Sequence, residues 1–291
     1  MELNHQEVTT PARAAATVML LRPSTSGPEV YLLRRHASSD VLAGAYVFPG
    51  GKLDPDDHDE LMLARLDRSP EHLHALLADP QLDPARAAGH FVAACRETFE
   101  ECGILLADDA DADTVQRAST QSREGFQFVE VLQTLNLRLA TQVLLPWSRW
   151  ITPRVPSVQQ KRFDTRFFMA VAPTDQVARH DPRETSGGEW MRPRDALERY
   201  WARDIELAPP QIMSLAHLSR FPDVESILAE ARRRPPPVIQ PEPIAVDGGR
   251  IVAYPGDVAH PLRDRAMPGP LRLVWRKDRF EPEQGFDALF S

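Results

Sequence analysis

The sequence predicts an α/β protein that forms one large domain with additions. Three observations predict this class. Strand-like apolar runs at 13–21 and 29–35 are separated by a turn rich in Pro, Ser and Gly, and another such run lies at 162–172. A long helix with one apolar side runs from Asp83 to Gly103. The 291 residues suffice for one large domain with extensions.

Composition and charge argue against several classes of protein. Hydrophobic residues make up 42% and charged residues 26%, so the chain can bury a core and stay in solution. The net charge of −8 argues against a general nucleic-acid binder. No apolar run is long enough to span a bilayer, and the first residues lack the features of a signal peptide. We therefore expect neither nucleic acid nor membrane as a partner.

The two cysteines indicate a reducing compartment. Cys95 and Cys102 are seven residues apart on one helix, about two turns, which is too far for a disulfide. We interpret them as small core residues. The chain ends Ala288–Ser291 without a peroxisomal S-K-L signal, so a cytoplasmic location is expected.

The segments before the long helix predict a loose tail, then strands, then short helices. Residues 1–12 are expected to be a loose tail. A short strand at 45–48 ends at Gly50 and Gly51, where glycine permits close approach of the backbone to a ligand or metal. Residues 54–84 are rich in Asp, His and Leu, and they predict one or two short helices.

The segments after the long helix predict more helices and strands. An acidic loop is expected at 108–114. The remaining predictions are strands at 140–151, 162–172 and 187–191 and helices at 126–137, 194–203, 209–221 and 222–232.

A proline-rich passage follows Arg232 and separates the main domain from a C-terminal extension. Pro235–Pro237 can form neither a helix nor a central strand, so we end the main domain at residue 232. Beyond it, 243–254 predicts a hairpin around Asp247-Gly248-Gly249, and 271–275 predicts a strand. This extension, 233–291, is small for an independent core and should pack against the main domain.

The long helix carries the residues that indicate chemistry. Its apolar residues fall on one side, and Glu97, Glu100 and Glu101 fall on the opposite side within an arc of roughly 100°. Within the helix only Arg96 is placed to offset their repulsion. Carboxylate oxygens without His or Cys on the same face suit a hard cation such as Mg²⁺ or Mn²⁺. The alternative is an acidic face that is merely solvated.

Two segments resemble a known signature. Residues 96–104, RETFEECGI, resemble the second half of the Nudix box of the Nudix hydrolases, R-E-U-x-E-E-x-G-U with U apolar. Residues 48–52, FPGGK, resemble its beginning. The box normally has a Glu six residues after its first Gly, and here Asp57 follows Gly51 at that spacing. About thirty extra residues, within about 58–88, separate this half from the other.

The insertion narrows the resemblance to one branch of the family. Nudix hydrolases similar to the peroxisomal coenzyme A diphosphatases carry an insertion at this place. Further stretches resemble that branch: 30–35, 44–51, 147–153 and 162–168. The resemblance implies a Nudix-type α/β/α sandwich with a mixed sheet over residues 13–232, a helical insertion inside the box and a C-terminal extension. The insertion could cover the active site or form a homodimer, and both roles stay open.

The resemblance also implies roles for individual residues. Glu100 and Glu101 would be the main ligands of Mg²⁺ or Mn²⁺, joined by Glu97 and by the backbone carbonyl of Gly50 or Gly51. Arg96 would hold the carboxylates in position. For the general base the candidates are Glu97, as in some relatives, and two acids that flank the Gly187-Gly188 turn, Glu184 and Glu189.

The substrate expectation follows from the branch. The resemblance implies hydrolysis of coenzyme A or acyl-CoA at the diphosphate, giving 3′,5′-ADP and (acyl-)4′-phosphopantetheine. Arg34 and Arg35 precede Gly44 as in a coenzyme A-associated segment of the branch. Lys161 and Arg162 either bind a substrate phosphate or are ordinary surface charges. ADP-ribose, NADH or another nucleoside diphosphate conjugate is the alternative substrate, and a non-catalytic binding module is the alternative class.

Overall fold

The computed structural model describes residues 3–4, 6–39, 42–156, 161–246 and 249–291. Its strands are β1 (Arg13–Ser24), β2 (Gly27–Arg35), β3 (Tyr46–Val47), β4 (Gly50–Lys52), β5 (Leu145–Ile151), β6 (Phe163–Val171), β7 (Thr185–Met191), β8 (Val238–Ile239), β9 (Glu242–Val246), β10 (Gly249–Ala253), β11 (Arg272–Arg276) and β12 (Arg279–Pro282). Its α-helices are α1 (Glu60–Leu63), α2 (Pro70–Leu77), α3 (Pro84–Cys102), α4 (Ala112–Arg123), α5 (Phe128–Thr134), α6 (Pro193–Ala202), α7 (Pro209–Leu218) and α8 (Val224–Arg233).

A mixed sheet forms the middle layer. Its order is β3-β2-β1-β6-β5-β8, with β4 paired to β1 and β7 paired to β2. The β1–β6 and β5–β8 pairs are parallel and the other pairs are antiparallel. One apolar core lies between the sheet and α3 and includes Leu73 of the insertion and Phe128 of α5. The other includes Leu197, Leu215 and Ile227 of α6, α7 and α8. The expected α/β/α arrangement is confirmed.

Helix α3 has the ends that its sequence predicts. The Asp83 carboxylate accepts a hydrogen bond from the backbone N–H of Arg86 at 2.9 Å, and Gly103 ends the helix at φ 67°. Cys95 and Cys102 are buried and unpaired, as expected. The ring of Phe99 stacks on that of Phe128 at 5.9 Å between centroids, which fixes the apolar side of the helix against α5.

Several elements differ from the sequence-based expectation. Helix α4 was not predicted, because its sequence is polar and Ala118 alone is buried; only its first residues, 112–114, fall in the expected acidic loop at 108–114. Strand β5 begins at Leu145, after a short 3₁₀ turn at Thr141–Val143. Strand β12 was not predicted. The tail at 1–12 was expected to be loose, but Val8 N–H donates to the Arg154 carbonyl at 2.7 Å.

The insertion is helical and is held to the central sheet. A 3₁₀ turn (Pro55–His58), α1 and α2 precede α3, and α2 packs on α3. After α2, the buried Asp79 carboxylate pairs with Arg149 of β5 at 3.0 Å and with Arg166 of β6. The insertion therefore reaches past α3 to the strands beneath it.

The C-terminal residues form a second, antiparallel sheet in the order β12-β11-β10-β9. Tyr254, Leu273 and Phe280 of this region share the core with α6–α8, and the Tyr200 hydroxyl donates to the Phe280 carbonyl at 2.8 Å. The expected turn at Asp247-Gly248 lies outside the described residues. Strand β8, beyond the boundary expected at residue 232, belongs to the main sheet. No helix of the described residues has the length and hydropathy needed to cross a membrane.

Replacing Phe99 with Ala should destabilise the protein. The side chain is 4% exposed, so its loss should lower the free energy of unfolding by about 3–5 kcal/mol. Phe126→Ala is the control, because that ring is 42% exposed. Urea denaturation of both variants tests the orientation of α3, and equal stabilities would contradict it.

Candidate active site

Two glycines bring strand β4 against the carboxylates of α3. The Gly50 N–H donates to Oε2 of Glu101 at 2.8 Å. A Cβ atom on Gly50 would lie 2.4 Å from the Ala16 carbonyl oxygen, and one on Gly51 would lie 2.2 Å from Oε1 of Glu97. Neither position has room for a side chain, so glycine is what permits this close approach.

Arg96 lies at the centre of the carboxylate cluster. Its Nη1 donates to Oε1 of Glu97 at 2.8 Å and to Oε2 of Glu100 at 3.1 Å. Its Nη2 also donates to the Lys52 carbonyl at 3.0 Å, which ties the end of β4 to the helix. The guanidinium thus holds two carboxylates and the glycine strand in one arrangement.

Asp57 completes the cluster from the other side of the insertion. Its two carboxylate oxygens accept from Nε and Nη2 of Arg96 at 2.8 and 2.9 Å. The residue is 1% exposed, and one of its oxygens also accepts from the Asp54 N–H at 2.8 Å. Asp57 is therefore the partner of Arg96. Its spacing from Gly51 was the sequence signal, although spacing alone did not give its role.

Burial raises the pKa of every glutamate in the cluster. It raises the pKa of Glu97 to about 7, against the effect of Arg96. Burial raises the pKa of Glu101 to about 8, although the hydrogen bond from Gly50 and the charge of Arg35 oppose the rise. The pKa of Glu100 is raised as well, chiefly by burial. The negative charge of Glu184 adds to all three shifts.

The chemistry of this donor set fits a hard divalent cation. Three carboxylates crowd one helical turn, of which Glu101 is buried and Glu97 and Glu100 are partly buried, and a bound cation would lower their raised pKa values. One oxygen each of Glu97, Glu100 and Glu101 accepts no hydrogen bond from the described residues. Without a cation, no three His, Cys, Asp or Glu side chains of those residues are arranged as a complete set of metal ligands.

The two candidate bases outside the box lie in different places. Glu184 precedes β7 and acts electrostatically on the three box glutamates. Glu189 lies opposite Leu32, which belongs to the core on the α6–α8 face. Its carboxylate pairs with Arg199 of α6 at 2.9 Å. The structure therefore places Glu184 within electrostatic range of the cluster and Glu189 on the other face of the sheet, beside Arg199.

The basic residues predicted to contact the substrate also lie in different places. Arg35 acts electrostatically on Glu101, whereas Arg34 is exposed and forms no ion pair with the described residues. Arg162 does not face the site: its guanidinium donates to the carbonyls of Thr152, Pro153 and Thr10 at 3.1–3.3 Å. It therefore ties the N-terminal segment to the end of β5. Lys161 lies two residues before β6.

A cavity of about 820 Å³ adjoins the cluster at Glu100. It lies between the end of α3, α4 and residues 175–183, and Arg123, Arg179 and Arg183 line it. Arg183 pairs with Asp181 at 2.6 Å, whereas Arg179 has no carboxylate partner in the described part of the chain. Glu100, Asp175 and Asp181 line the same cavity, so its charges are mixed. Sequence analysis missed the three arginines, because α4 was not expected and Arg123 is far from the other two in sequence.

Comparison with known proteins identifies the family that the chain resembles. A family model for the NUDT19 Nudix domain matches residues 78–218. The acyl-coenzyme A diphosphatase NUDT19 of Xenopus laevis is 28% identical over 242 residues, which cover 70% of this chain and 63% of that protein. The protein of the same name from Gallus gallus is 27% identical, with 92% of this chain and 84% of that protein covered.

A solved structure extends the comparison to the fold. The crystal structure of a NUDIX hydrolase from Alicyclobacillus acidocaldarius is similar, with a TM-score of 0.58 and 26% identity. The similarity covers 76% of this chain and 97% of that one. Residues 78–218 match a Nudix domain. The resemblance to the Nudix hydrolases is thereby confirmed, and so is the Nudix-type fold; the matched residues include 96–104, whereas 48–52 lie before them.

Replacing Asp57 with Asn should destabilise the Nudix domain. It leaves the guanidinium of Arg96, whose side chain is 11% exposed, without its bidentate partner, at a cost of about 3 kcal/mol. Asp54→Asn is the matched control, because that carboxylate is 56% exposed and 3.5 Å from Arg96. Chemical denaturation tests the difference, and equal losses would contradict the assigned pairing.

Stability without divalent ions should fall as the pH rises from about 6.5 to about 8. A carboxyl group whose pKa is higher in the folded state stabilises it at low pH, and this stabilisation is lost as the pH rises through the folded-state pKa. Glu101, with a pKa of about 8, should contribute up to about 1.4 kcal/mol per pH unit here. Denaturation in a chelator should therefore show a smaller decrease for Glu101→Gln. A decrease as large as that of the wild type would refute the prediction.

Proposed function

We propose that this Nudix hydrolase cleaves the diphosphate of coenzyme A or acyl-CoA, giving 3′,5′-ADP and (acyl-)4′-phosphopantetheine. The observation that carries the proposal is the carboxylate cluster of α3, in which Arg96 holds Glu97 and Glu100 and the Gly50 N–H holds the buried Glu101. The names of the Xenopus and Gallus relatives support the substrate.

Mg²⁺ or Mn²⁺ is the cofactor that we propose. Glu97, Glu100 and Glu101 would hold it, together with the carbonyl of Gly50 or Gly51. When bound, such a cation neutralises charge on the diphosphate and lowers the pKa of a coordinated water. The buried carboxylates with raised pKa values support this assignment.

The residues of this chain can orient and deprotonate the attacking water. The water oxygen forms a new P–O bond, the bridging P–O bond breaks, and the released phosphate leaves as an anion. Glu97 or Glu184 would accept the proton. Arg96 keeps Glu97 and Glu100 in place through its hydrogen bonds. Glu189 is not part of this proposal because it lies on the other face of the sheet.

The cavity beside Glu100 suits the nucleotide arm of the substrate. Its volume of about 820 Å³ is within the roughly 300–1,000 Å³ typical of small-molecule sites. Arg179 and Arg123 supply positive charge that a phosphate group would pair with. Arg34, Arg35 and Lys161 remain predicted contacts for the substrate. The cytoplasmic location and a homodimer also remain predictions.

The product assay tests the proposal directly. Coenzyme A, an acyl-CoA, ADP-ribose and NADH are incubated separately with the protein and Mg²⁺, and the products are identified by mass spectrometry. Formation of 3′,5′-ADP from the first two substrates is expected. AMP from ADP-ribose or NADH alone would support the alternative substrates, and no product in any reaction would support a non-catalytic module.

Glu101→Gln should lower turnover by orders of magnitude, because it removes one charge from the proposed cation site. Glu225→Gln is the control, since that side chain is 81% exposed on α8. Circular dichroism should show both variants folded. Wild-type turnover by Glu101→Gln would exclude Glu101 as a ligand.

A further inference from the structure

The cavity beside Glu100 carries positive charge on two of its walls. Arg123 lines it from the last turn of α4, and Arg179 lines it from residues 175–183. Both side chains are exposed. The Nε of Arg123 donates to the Ser119 carbonyl at 3.0 Å, and neither guanidinium forms an ion pair with the described residues. Two guanidinium groups are therefore available to bind an anion in this cavity.

The other charges of the lining are paired or belong to the carboxylate cluster. Arg183 pairs with Asp181, and Glu100 would face the proposed cation. The remaining acid of the described lining is the exposed Asp175. The two arginines without ion pairs therefore outweigh the acid that is left, and this part of the cavity favours an anionic group over a neutral one.

One side chain links the two walls that carry these arginines. The amide nitrogen of Gln176 donates to the carbonyls of Leu105 at 3.1 Å and Ala110 at 2.8 Å, just before α4. The amide oxygen of Gln176 accepts from the Leu105 N–H at 2.9 Å. The backbone N–H of Arg179 donates to the Cys102 carbonyl at 2.8 Å, at the end of α3. The walls are thus linked to each other and to the helix that carries the carboxylates.

A phosphate monoester is the anion that suits these two arginines. It carries a charge of about −1.5 to −2 at pH 7 and three acceptor oxygens, and a guanidinium can pair with it through two hydrogen bonds. Coenzyme A has such a group at the 3′ position of the ribose whose 5′ oxygen bears the diphosphate. ADP-ribose and NADH have none. Because the proposed cation holds the diphosphate at the carboxylates, the two arginines are available for the 3′-phosphate.

We propose that Arg123 and Arg179 bind the 3′-phosphate of coenzyme A and so select it over dephospho-coenzyme A, an inference that rests on the proposed coenzyme A hydrolysis. The 3′-phosphate and the diphosphate share one ribose, so the partners of the 3′-phosphate must lie close to the cleavage site. Arg179 meets this requirement, because its backbone contacts Cys102, two residues after Glu100. The cavity of about 820 Å³ has room for the nucleoside as well.

The test compares kcat/KM for coenzyme A with kcat/KM for dephospho-coenzyme A, which differs only in lacking the 3′-phosphate. Both are measured with Mg²⁺ for the wild type, Arg123→Gln and Arg179→Gln. Arg117→Gln is the matched control, because Arg117 is exposed on the same helix as Arg123 but does not line the cavity. Melting temperatures are measured for all four proteins and should be alike, because the three positions are exposed.

The wild type should cleave coenzyme A with a kcat/KM about tenfold or more above that for dephospho-coenzyme A. Each cavity variant should lower the value for coenzyme A about tenfold, chiefly through KM, because a charge-assisted contact with the substrate is lost. The value for dephospho-coenzyme A should change less than about twofold. Arg117→Gln should change neither value.

The outcomes separate this inference from the proposed function. If the wild type cleaves coenzyme A no better than dephospho-coenzyme A, the inference is overturned and the function stands. Equal losses for both substrates in the two cavity variants would overturn it too, as would a loss of the same size and selectivity in Arg117→Gln. If neither substrate is cleaved, the proposed function fails, and the assignment of the 3′-phosphate fails with it.

Discussion

The ion pair between Arg96 and Asp57 is the interaction on which the site depends. One guanidinium contacts four acids within 3.5 Å: Asp54, Asp57, Glu97 and Glu100. Without it, the buried glutamates of α3 would repel one another with nothing to position them. The same guanidinium donates to the carbonyl of Lys52, so the helix, the glycine strand and the start of the insertion share one centre.

This pair explains how a box interrupted by an insertion keeps its geometry. Asp57 and Arg96 are 39 residues apart, yet they form a bidentate contact. The inserted segment leaves the site after Asp57, packs α2 on α3 and is fixed at Asp79 by Arg149 and Arg166. The inserted segment is thus fixed at its start by Asp57 and near its end by Asp79. A segment held in this way adds surface beside the site without displacing the carboxylates.

Local patterns in the sequence predicted local structure well and tertiary relationships poorly. The caps of α3, its apolar side and the split box follow from spacing, and all are present. Glu189 lies on the other face of the sheet from the cluster because of the register of β7 with β2. The spacing of residues in the sequence does not determine that register. Helix α4 was not predicted because it buries almost no apolar surface, so its sequence lacks the apolar spacing of a packed helix. The apolar cavity lined by Trp150 and Phe167 could not be foreseen, since it exists only after α7 and the extension pack.

The C-terminal extension is held to the main domain by the apolar core that covers one face of the sheet. Val252, Tyr254 and Leu273 bury apolar surface against α6–α8, and this burial stabilises the fold. The Tyr200 hydroxyl donates to the Phe280 carbonyl, and β8 pairs with β5 of the main sheet. A segment of this size is too small to form a core of its own, so the strands of the extension depend on α6–α8 for their burial. The same burial covers apolar surface that α6–α8 would otherwise expose to water, which explains why the fold continues past residue 232.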